Sequence, residues 1–486
     1  MPVPGERIRV LNERPPRADG DFVLYWMVAT RRLTWSFPLQ RAVELARELR
    51  RPLVILEALR TGYPWASDRL HRFVLDGMRE HRRRLARSRV LYHPYVEPGE
   101  DHGKGLLLGL AGRACAVVTD DFPTFFIPRM TAAAAARLPV RLEAVDGNGL
   151  LPVRAAGRVF ATAHAFRRHL QKVLPAELGR RPRANPLAGL RLPRLEALPR
   201  SITRRWPAAS SEALSGQTLD RLPIDHSVAP TALRGGLAAA EALWRRFLDR
   251  RLARYHDGRN AVDDEVTSGL SAHLHFGHIA SHQLVHELLE RERFHVELLG
   301  PAATGAREGW WGVSPGAEAF LDQLITWREL GFNMCAGRAD HDRYRSLPDW
   351  ARQTLADHAA DPRPHRYSPG RLEAAGTHDA LWNAAQRQLV REGRIHNYLR
   401  MLWGKKILEW SSSPRRALSV MLELNNRYAL DGRDPNSTSG IFWVLGRYDR
   451  AWGPERPIFG KVRYMSSESA RRKLRVAGYL ERFGPG

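Results

Sequence analysis

Residues 381–443 read LWNAAQRQLV REGRIHNYLR MLWGKKILEW SSSPRRALSV MLELNNRYAL DGRDPNSTSG IFW. Apolar residues recur at helical spacing through most of this stretch, and Trp382, Trp403, Trp410 and Trp443 punctuate it. The polar run 425–436 interrupts the pattern. Trp403 and Trp410 stand two helical turns apart, so their rings can share one face at a spacing of about 10 Å. That spacing suits electron hopping between indoles, and it suits core packing equally well. DGRDPN (431–436) reads as a turn in which Asp side chains hold backbone amides. Inside an apolar helical region such a turn is either a solvent loop or the seat of a polar ligand, because buried polar groups need partners.

Outward from this stretch the chain from Ala232 onward reads almost wholly helical. Residues 235–260 form an amphipathic helix ended by a polar turn, and residues 317–332 set Phe320, Leu324 and Trp327 beside Leu321 and Ile325 on adjoining helix faces. The N-terminal part differs. DFVLYWMVA (21–29), PLVILEAL (52–59) and ACAVVTDD (114–121) are short apolar strands alternating with helical segments at 39–52 and 68–89. That alternation predicts an α/β, doubly wound (Rossmann-like) parallel sheet, with Asp120 and Asp121 at a strand end where such sheets bind ligands. No G-x-G-x-x-G or phosphate-binding loop is present. The Pro- and Arg-rich segment 174–230 reads as an interdomain linker. The expected layout is therefore an α/β domain over 21–173, the linker, and a helical domain over 231–486.

The chain has 486 residues and a formal net charge of +24, with arginine far in excess of lysine. Such a balance favours a polyanionic partner, nucleic acid first; a GC-rich genome that writes arginine for lysine is the alternative. Cys115 and Cys335 are the only cysteines, which excludes a disulfide framework and fits a reducing cytoplasm. No apolar run is long enough to span a membrane, and the N-terminus, basic but without an apolar core segment, reads as a partly ordered tail.

VTSGLSAHLHFGHIASHQLVHELLE (266–290) opens with Thr267 and Ser268, good helix caps, followed by Gly269. Small hydroxyl residues at a helix start can cradle phosphate, although most capped helices bind nothing. The segment also holds His273, His275, His278, His282 and His286. The last three repeat at ligand spacing, yet no carboxylate or cysteine completes a set, so packed or surface histidines are expected and no metal.

Four segments together resemble the photolyase/cryptochrome family, specifically the class II cyclobutane pyrimidine dimer photolyases. They are THDALWNAAQ (377–386), RMLWGKKILEW (400–410), LNNRYALDGRDPN (424–436) and RAWGPERPIFGKVRYM (450–465). TSGLSAHLHFGHI (267–279) is similar to the family's cofactor-phosphate segment. The resemblance is specific from 249 to 475 and weaker before that, where ATRRLTWSFPLQ (29–40) replaces the usual stretch. It implies an antenna-type α/β domain and a large all-α domain holding FAD, active when reduced. It also implies light-driven electron transfer to a pyrimidine dimer flipped out of UV-damaged DNA. A second antenna chromophore, of unknown identity, is possible within that family. A monomer is expected.

Carried over residue by residue, the resemblance implies that Thr267, Ser268, Gly269, Leu270 and Ser271 cradle the FAD diphosphate, with Tyr255 close by. Asn425 faces flavin N5, and Arg400, Asp431, Arg433 and Asp434 lie on the isoalloxazine side. Trp403, Trp382 and Trp410 form the electron chain. Trp327 and Trp443 pack against the lesion with Met401 beneath it, and Arg450 and the basic segment 471–475 contact DNA. Two positions depart from the class. Gln323 stands where a lesion-binding glutamate is usual, and Asn426 where an aspartate is usual. Gln323 can still donate to a base carbonyl but cannot supply a proton, so slower repair or an altered lesion preference follows. Asp322 beside it faces another direction. A cryptochrome-like blue-light receptor would keep FAD and the tryptophan chain but signal to a protein partner.

Overall fold

Strands β2 (Phe22–Met27), β3 (Leu53–Leu59) and β5 (Ala114–Asp120) are apolar runs covered on both faces, as a parallel sheet requires. With β1 (Ile8–Val10), β4 (Leu91–Val96) and β6 (Leu142–Val145) they form one six-stranded sheet in the order β1-β6-β5-β2-β3-β4. Every pairing is parallel except β1 with β6. The computed structural model describes residues 1–485, and these fall into two compact units. One comprises Met1–Ala156, Val173–Arg245 and Gly269–Arg291; the other comprises Gly157–Lys172, Arg246–Ser268 and Glu292–Gly486.

In the sheet-bearing unit several expectations change. The N-terminus is not a loose tail: β1 pairs with the outer edge of β6, and the buried Arg7 donates to Gly149 O at 3.1 Å. An edge that would otherwise present unpaired amides is covered. Pro94 breaks the strand pattern of β4 in the sequence; β4 lies at the opposite edge, where a missing N–H is tolerated. The segment 174–230 is not strung out as a linker. Leu198, Ile202 and Trp206 enter the core beneath β2 and β5, and Leu214, Leu219 and Leu222 pack on Val74, Leu75 and Met78.

Asp120 belongs to the framework of the sheet. Its Oδ2 accepts from the backbone N–H groups of Val28, Ala29 and Thr30 at 2.7–2.9 Å, and its Oδ1 from the Tyr25 hydroxyl at 2.8 Å. Asp121 pairs with Arg154 at 3.1 Å and Arg9 at 3.5 Å. The divergent stretch 29–40 that follows β2 is likewise tied down. Buried Arg32 donates to Gly277 O and Gly147 O, each at 3.1 Å, and Ser36 caps the helix Phe37–Glu48.

The histidine-rich segment is two helices, Ser271–His275 and Ser281–Arg291, separated where Gly277 adopts φ +71° against the Ala29 carbonyl. A Cβ there would lie 2.2 Å from that oxygen. The break takes His278 out of register with His282 and His286. His273 and His278 instead pack on Phe73, each at 5.0 Å between ring centroids, and His278 Nδ1 accepts from Gly236 N–H at 3.0 Å.

The second unit contains only helices among its described residues. Helices Ala380–Glu392, Asn397–Trp410, Pro414–Tyr428 and Pro435–Val444 pack on one another and carry residues 381–443. Helix Arg328–Gly337 lies against Pro435–Val444, closely enough that a Cβ on Gly331 would meet Pro435 O at 2.8 Å.

Candidate active site

Asp379 caps the helix Ala380–Glu392, accepting from the N–H groups of Leu381 and Trp382 at 3.1 Å, and so fixes where Trp382 enters the core. Trp382 and Trp403 are wholly buried and Trp410 nearly so, which is costly for an indole N–H unless it finds an acceptor. Trp382 Nε1 donates to Trp403 O at 3.0 Å, and Trp403 Nε1 to Gln386 Oε1 at 2.9 Å. The rings of Trp382 and Trp410 meet edge to face, with centroids 5.3 Å apart. Trp382, from a separate helix, thus contacts both tryptophans of helix Asn397–Trp410. Beyond Trp410 lie Tyr367 at 5.2 Å and His378 at 5.5 Å, and the Tyr367 hydroxyl is 2.6 Å from His378 Nδ1. Neither Tyr367 nor Gln386 was singled out from sequence, because no local pattern marks them.

Residues 431–435 of the DGRDPN turn are buried and only Asn436 is exposed, so the turn is not a solvent loop. Asn425, 1% exposed, uses its Nδ2 to donate to Gly432 O at 3.0 Å and Ser437 Oγ at 3.1 Å. Its Oδ1 accepts no hydrogen bond among the described residues. Arg433 turns inward and donates to Asn426 O and Leu430 O, and Asp434 caps the next helix through Asn436 N–H. Those two hold the turn itself. Asp431 is buried and takes one long contact, 3.4 Å from Arg400 Nη2, on a single oxygen. Arg400 also donates to Ser437 Oγ at 3.2 Å, so the tryptophan-bearing helix is clasped to the turn. The open polar atoms here, Asn425 Oδ1 and Asp431 Oδ2, are acceptors. They fit a ligand that presents N–H or O–H donors, as a reduced flavin with its ribityl chain does.

Gln323 and Trp327 belong to a π-helical turn, Asp322–Trp327, closed by Arg328 N–H donating to Gln323 O. Such wide turns cluster at functional sites. Asp322, Leu324, Ile325 and Thr326 are buried in it, leaving Gln323 and Trp327 on its open face. Asp322 faces away, as expected, in a bidentate pair with buried Arg167: Nε to Oδ1 at 2.7 Å and Nη2 to Oδ2 at 3.1 Å. The Trp327 ring stacks on that of Trp443, with centroids 4.6 Å apart and planes 14° from parallel. Met401 is half-buried on helix Asn397–Trp410. Lys405 on the same helix donates its Nζ to Val444 O, the residue after Trp443, and burial lowers it to about 7.

Thr267 and Ser268 do not cap a helix: Ser271–His275 starts after them, with Leu270 at its N-cap. Thr267 Oγ1 donates to Glu265 Oε1 at 3.1 Å, and Arg251 donates to Thr267 O at 2.7 Å. Burial raises the Glu265 carboxyl, but the bidentate Arg394 partner and the Thr267 hydroxyl outweigh it and bring it to about 2. Gly269 has φ +71° with open space where a Cβ would stand, and Ser271 is exposed. Tyr255 is buried edge to face against Phe247 and Phe320, and that burial pushes its phenol up to about 12. On the surface Arg450 is exposed and lies 4.4 Å over the Trp452 ring, and Arg471, Arg472, Lys473 and Arg475 are exposed.

This architecture is shared with solved photolyases. A class III photolyase from Agrobacterium tumefaciens superimposes with a TM-score of 0.65 at 16% identity, covering 96% of this chain and 86% of its own. A photolyase from Sulfolobus tokodaii, solved with two FAD molecules, gives 0.64 at 13%, covering 95% of this chain and 90% of its own. No protein-family model matches the chain. A deoxyribodipyrimidine photo-lyase of Methanothermobacter thermautotrophicus is 35% identical over 98% of both chains. Another of Oryza sativa subsp. japonica is 33% identical over 98% of this chain and 89% of its own. The chain belongs to the deoxyribodipyrimidine photolyase family, enzymes of light-driven repair of pyrimidine dimers in DNA. No helix is long and apolar enough to cross a membrane among the described residues.

Proposed function

We propose that the chain is a class II cyclobutane pyrimidine dimer photolyase that holds FAD in its helical part, residues 231–486, and repairs UV-damaged DNA. The observation that carries this reading is the clasp by which Arg400 joins the helix of Trp403 and Trp410 to the buried turn of Asn425 and Asp431. It couples a set of closely packed indoles to a polar seat with open acceptors. When bound, reduced FAD supplies, on absorbing blue light, the electron that opens the cyclobutane ring.

The chain's own residues do the rest. Asn425, its carboxamide fixed by Gly432 and Ser437, offers Oδ1 as acceptor for an N–H and so favours the reduced form. Asp431 and Arg400 orient the ring system from the turn, and residues 267–271 with Tyr255 hold the diphosphate side. Trp403, Trp382 and Trp410 relay electrons inward through contacts short enough for hopping. Trp327 and Trp443 present a flat aromatic wall to the flipped-out dimer, with Met401 beneath and Gln323 at the edge. Arg450 and the exposed cluster 471–475 supply phosphate contacts, the sequence-independent part of DNA binding. The α/β part, residues 21–173, is the candidate seat of any antenna chromophore.

The test is purification followed by blue-light illumination with dimer-containing DNA. The expected result is a yellow protein whose chemically reduced form restores the dimers to monomers. A colourless protein that takes up no FAD refutes the reading. A flavoprotein that photoreduces yet leaves the dimers intact transfers it to a blue-light receptor.

A further inference from the structure

We propose that Gln323 makes the lesion pocket accept cytosine as readily as thymine, so that cytosine-containing dimers are substrates on a par with thymine dimers. The inference rests on the reading of Trp327, Trp443 and Gln323 as the lesion-facing set. It starts from what the π-turn Asp322–Trp327 exposes. Four of its six residues are buried, and only Gln323 and Trp327 reach the open face. The one acid in the turn, Asp322, is withdrawn into its bidentate pair with Arg167, and Arg167 is further held by donating to Gly305 O at 3.3 Å. The polar group left beside the aromatic wall is therefore a neutral carboxamide. No hydrogen bond engages its side chain among the described residues.

The two bases differ at the edge such a group reads. Thymine offers the N3–H donor beside the O4 acceptor; cytosine offers the N3 acceptor beside the N4 amino donor. Closing the cyclobutane ring at C5 and C6 leaves both edges in place. An ionised carboxylate only accepts. It suits thymine N3–H, but toward cytosine it sets its charge against the N3 lone pair. A carboxamide carries one donor and one acceptor side by side. With Oε1 toward N3–H and Nε2 toward O4 it matches thymine; rotated half a turn, with Nε2 toward N3 and Oε1 toward the amino group, it matches cytosine. Because no protein partner fixes Gln323 in one orientation, both are open to it. A site loses discrimination where its polar group can pair with either ligand and gains it where one ligand leaves a group unpaired.

The test uses the FAD-loaded enzyme and duplexes carrying a single thymine–thymine or cytosine–cytosine dimer, the latter used before deamination. Dark-state affinity and light-driven repair are measured for the natural protein, Gln323→Glu and Gln323→Met. The natural protein is expected to bind the two dimers within about threefold of each other. Gln323→Glu should weaken binding of the cytosine dimer about tenfold relative to the thymine dimer, and Gln323→Met should weaken both alike. A natural protein that already disfavours the cytosine dimer tenfold, or a Gln323→Glu variant with an unchanged ratio, overturns the inference. If both dimers bind equally in the dark but neither is repaired under light, the photolyase reading itself fails and takes the substrate claim with it.

Discussion

Trp382 gives its indole N–H to the main-chain carbonyl of Trp403 across 3.0 Å, and Trp403 passes its own to Gln386. Both rings are fully buried and both protons are held by neutral acceptors, a backbone carbonyl and a carboxamide oxygen. In the proposed relay the next contact from this pair is the Trp410 ring, 5.3 Å from Trp382. Trp403→Phe is expected to lower the rate of flavin photoreduction by at least an order of magnitude. The same variant, reduced chemically, keeps its repair of dimers. Transient absorption and a repair assay separate the two, and photoreduction at the natural rate would refute the relay.

Asn425 ties the fold together through its Nδ2, and on the proposed reading it serves the cofactor through its Oδ1. Asn425→Leu removes two buried hydrogen bonds, leaving Gly432 O without the Asn425 donor and Ser437 Oγ with the Arg400 N–H alone, a loss of about 1–3 kcal/mol. Asn425→Asp keeps the shape but replaces the donor by a carboxylate. Denaturant unfolding should show both variants destabilised. The purified proteins should also lose reduced flavin to air faster than the natural chain. Unchanged reoxidation would remove Asn425 from the flavin's neighbourhood.

The pair Arg167–Asp322 is buried on both sides, so removing one member leaves an unpaired charge in the interior. Arg167→Met should cost about 3–5 kcal/mol of stability. Arg167→Lys, which keeps the charge but not the fork, should recover part of that loss. Because Asp322 opens the π-turn, dimer-DNA affinity should fall in Arg167→Met while flavin content holds. Equal loss of both would mark the pair as purely structural.

Burial brings the imidazole of His71 down to about 4 and that of His273 to about 3, from an ordinary 6.5. In the native state both stay neutral well below the pH at which the unfolded chain binds their protons. The unfolded chain therefore holds more protons through that window, and stability falls as pH drops from about 6.5 toward 4. Each group contributes up to about 1.4 kcal/mol per pH unit there. Urea unfolding at neutral and mildly acidic pH measures the slope. His273→Phe should flatten it by about one proton's worth, and an unaltered slope would show that His273 is protonated in the native state.

Both architectures are legible in local pattern. Apolar runs that alternate with helical segments mark a parallel sheet, and a 3.6-residue period marks the helical part; both are local signals. The sequence also located the stretch that matters, because Trp382, Trp403, Trp410 and the 425–436 turn fall in one continuous segment. Local pattern could not choose between core packing and electron relay for the tryptophans, and only motif resemblance tipped the reading. What the tertiary structure alone decided were pairings of residues far apart in the chain. Pro94 sits in a strand because that strand is an edge, β1 exists because β6 had an edge to cover, and residues 174–230 are packed because the sheet offered an apolar face. Arg167 meets Asp322 across 155 positions, and that pairing, set by three-dimensional packing, withdraws the one acid of the turn 322–327 and leaves Gln323 beside Trp327 on its open face.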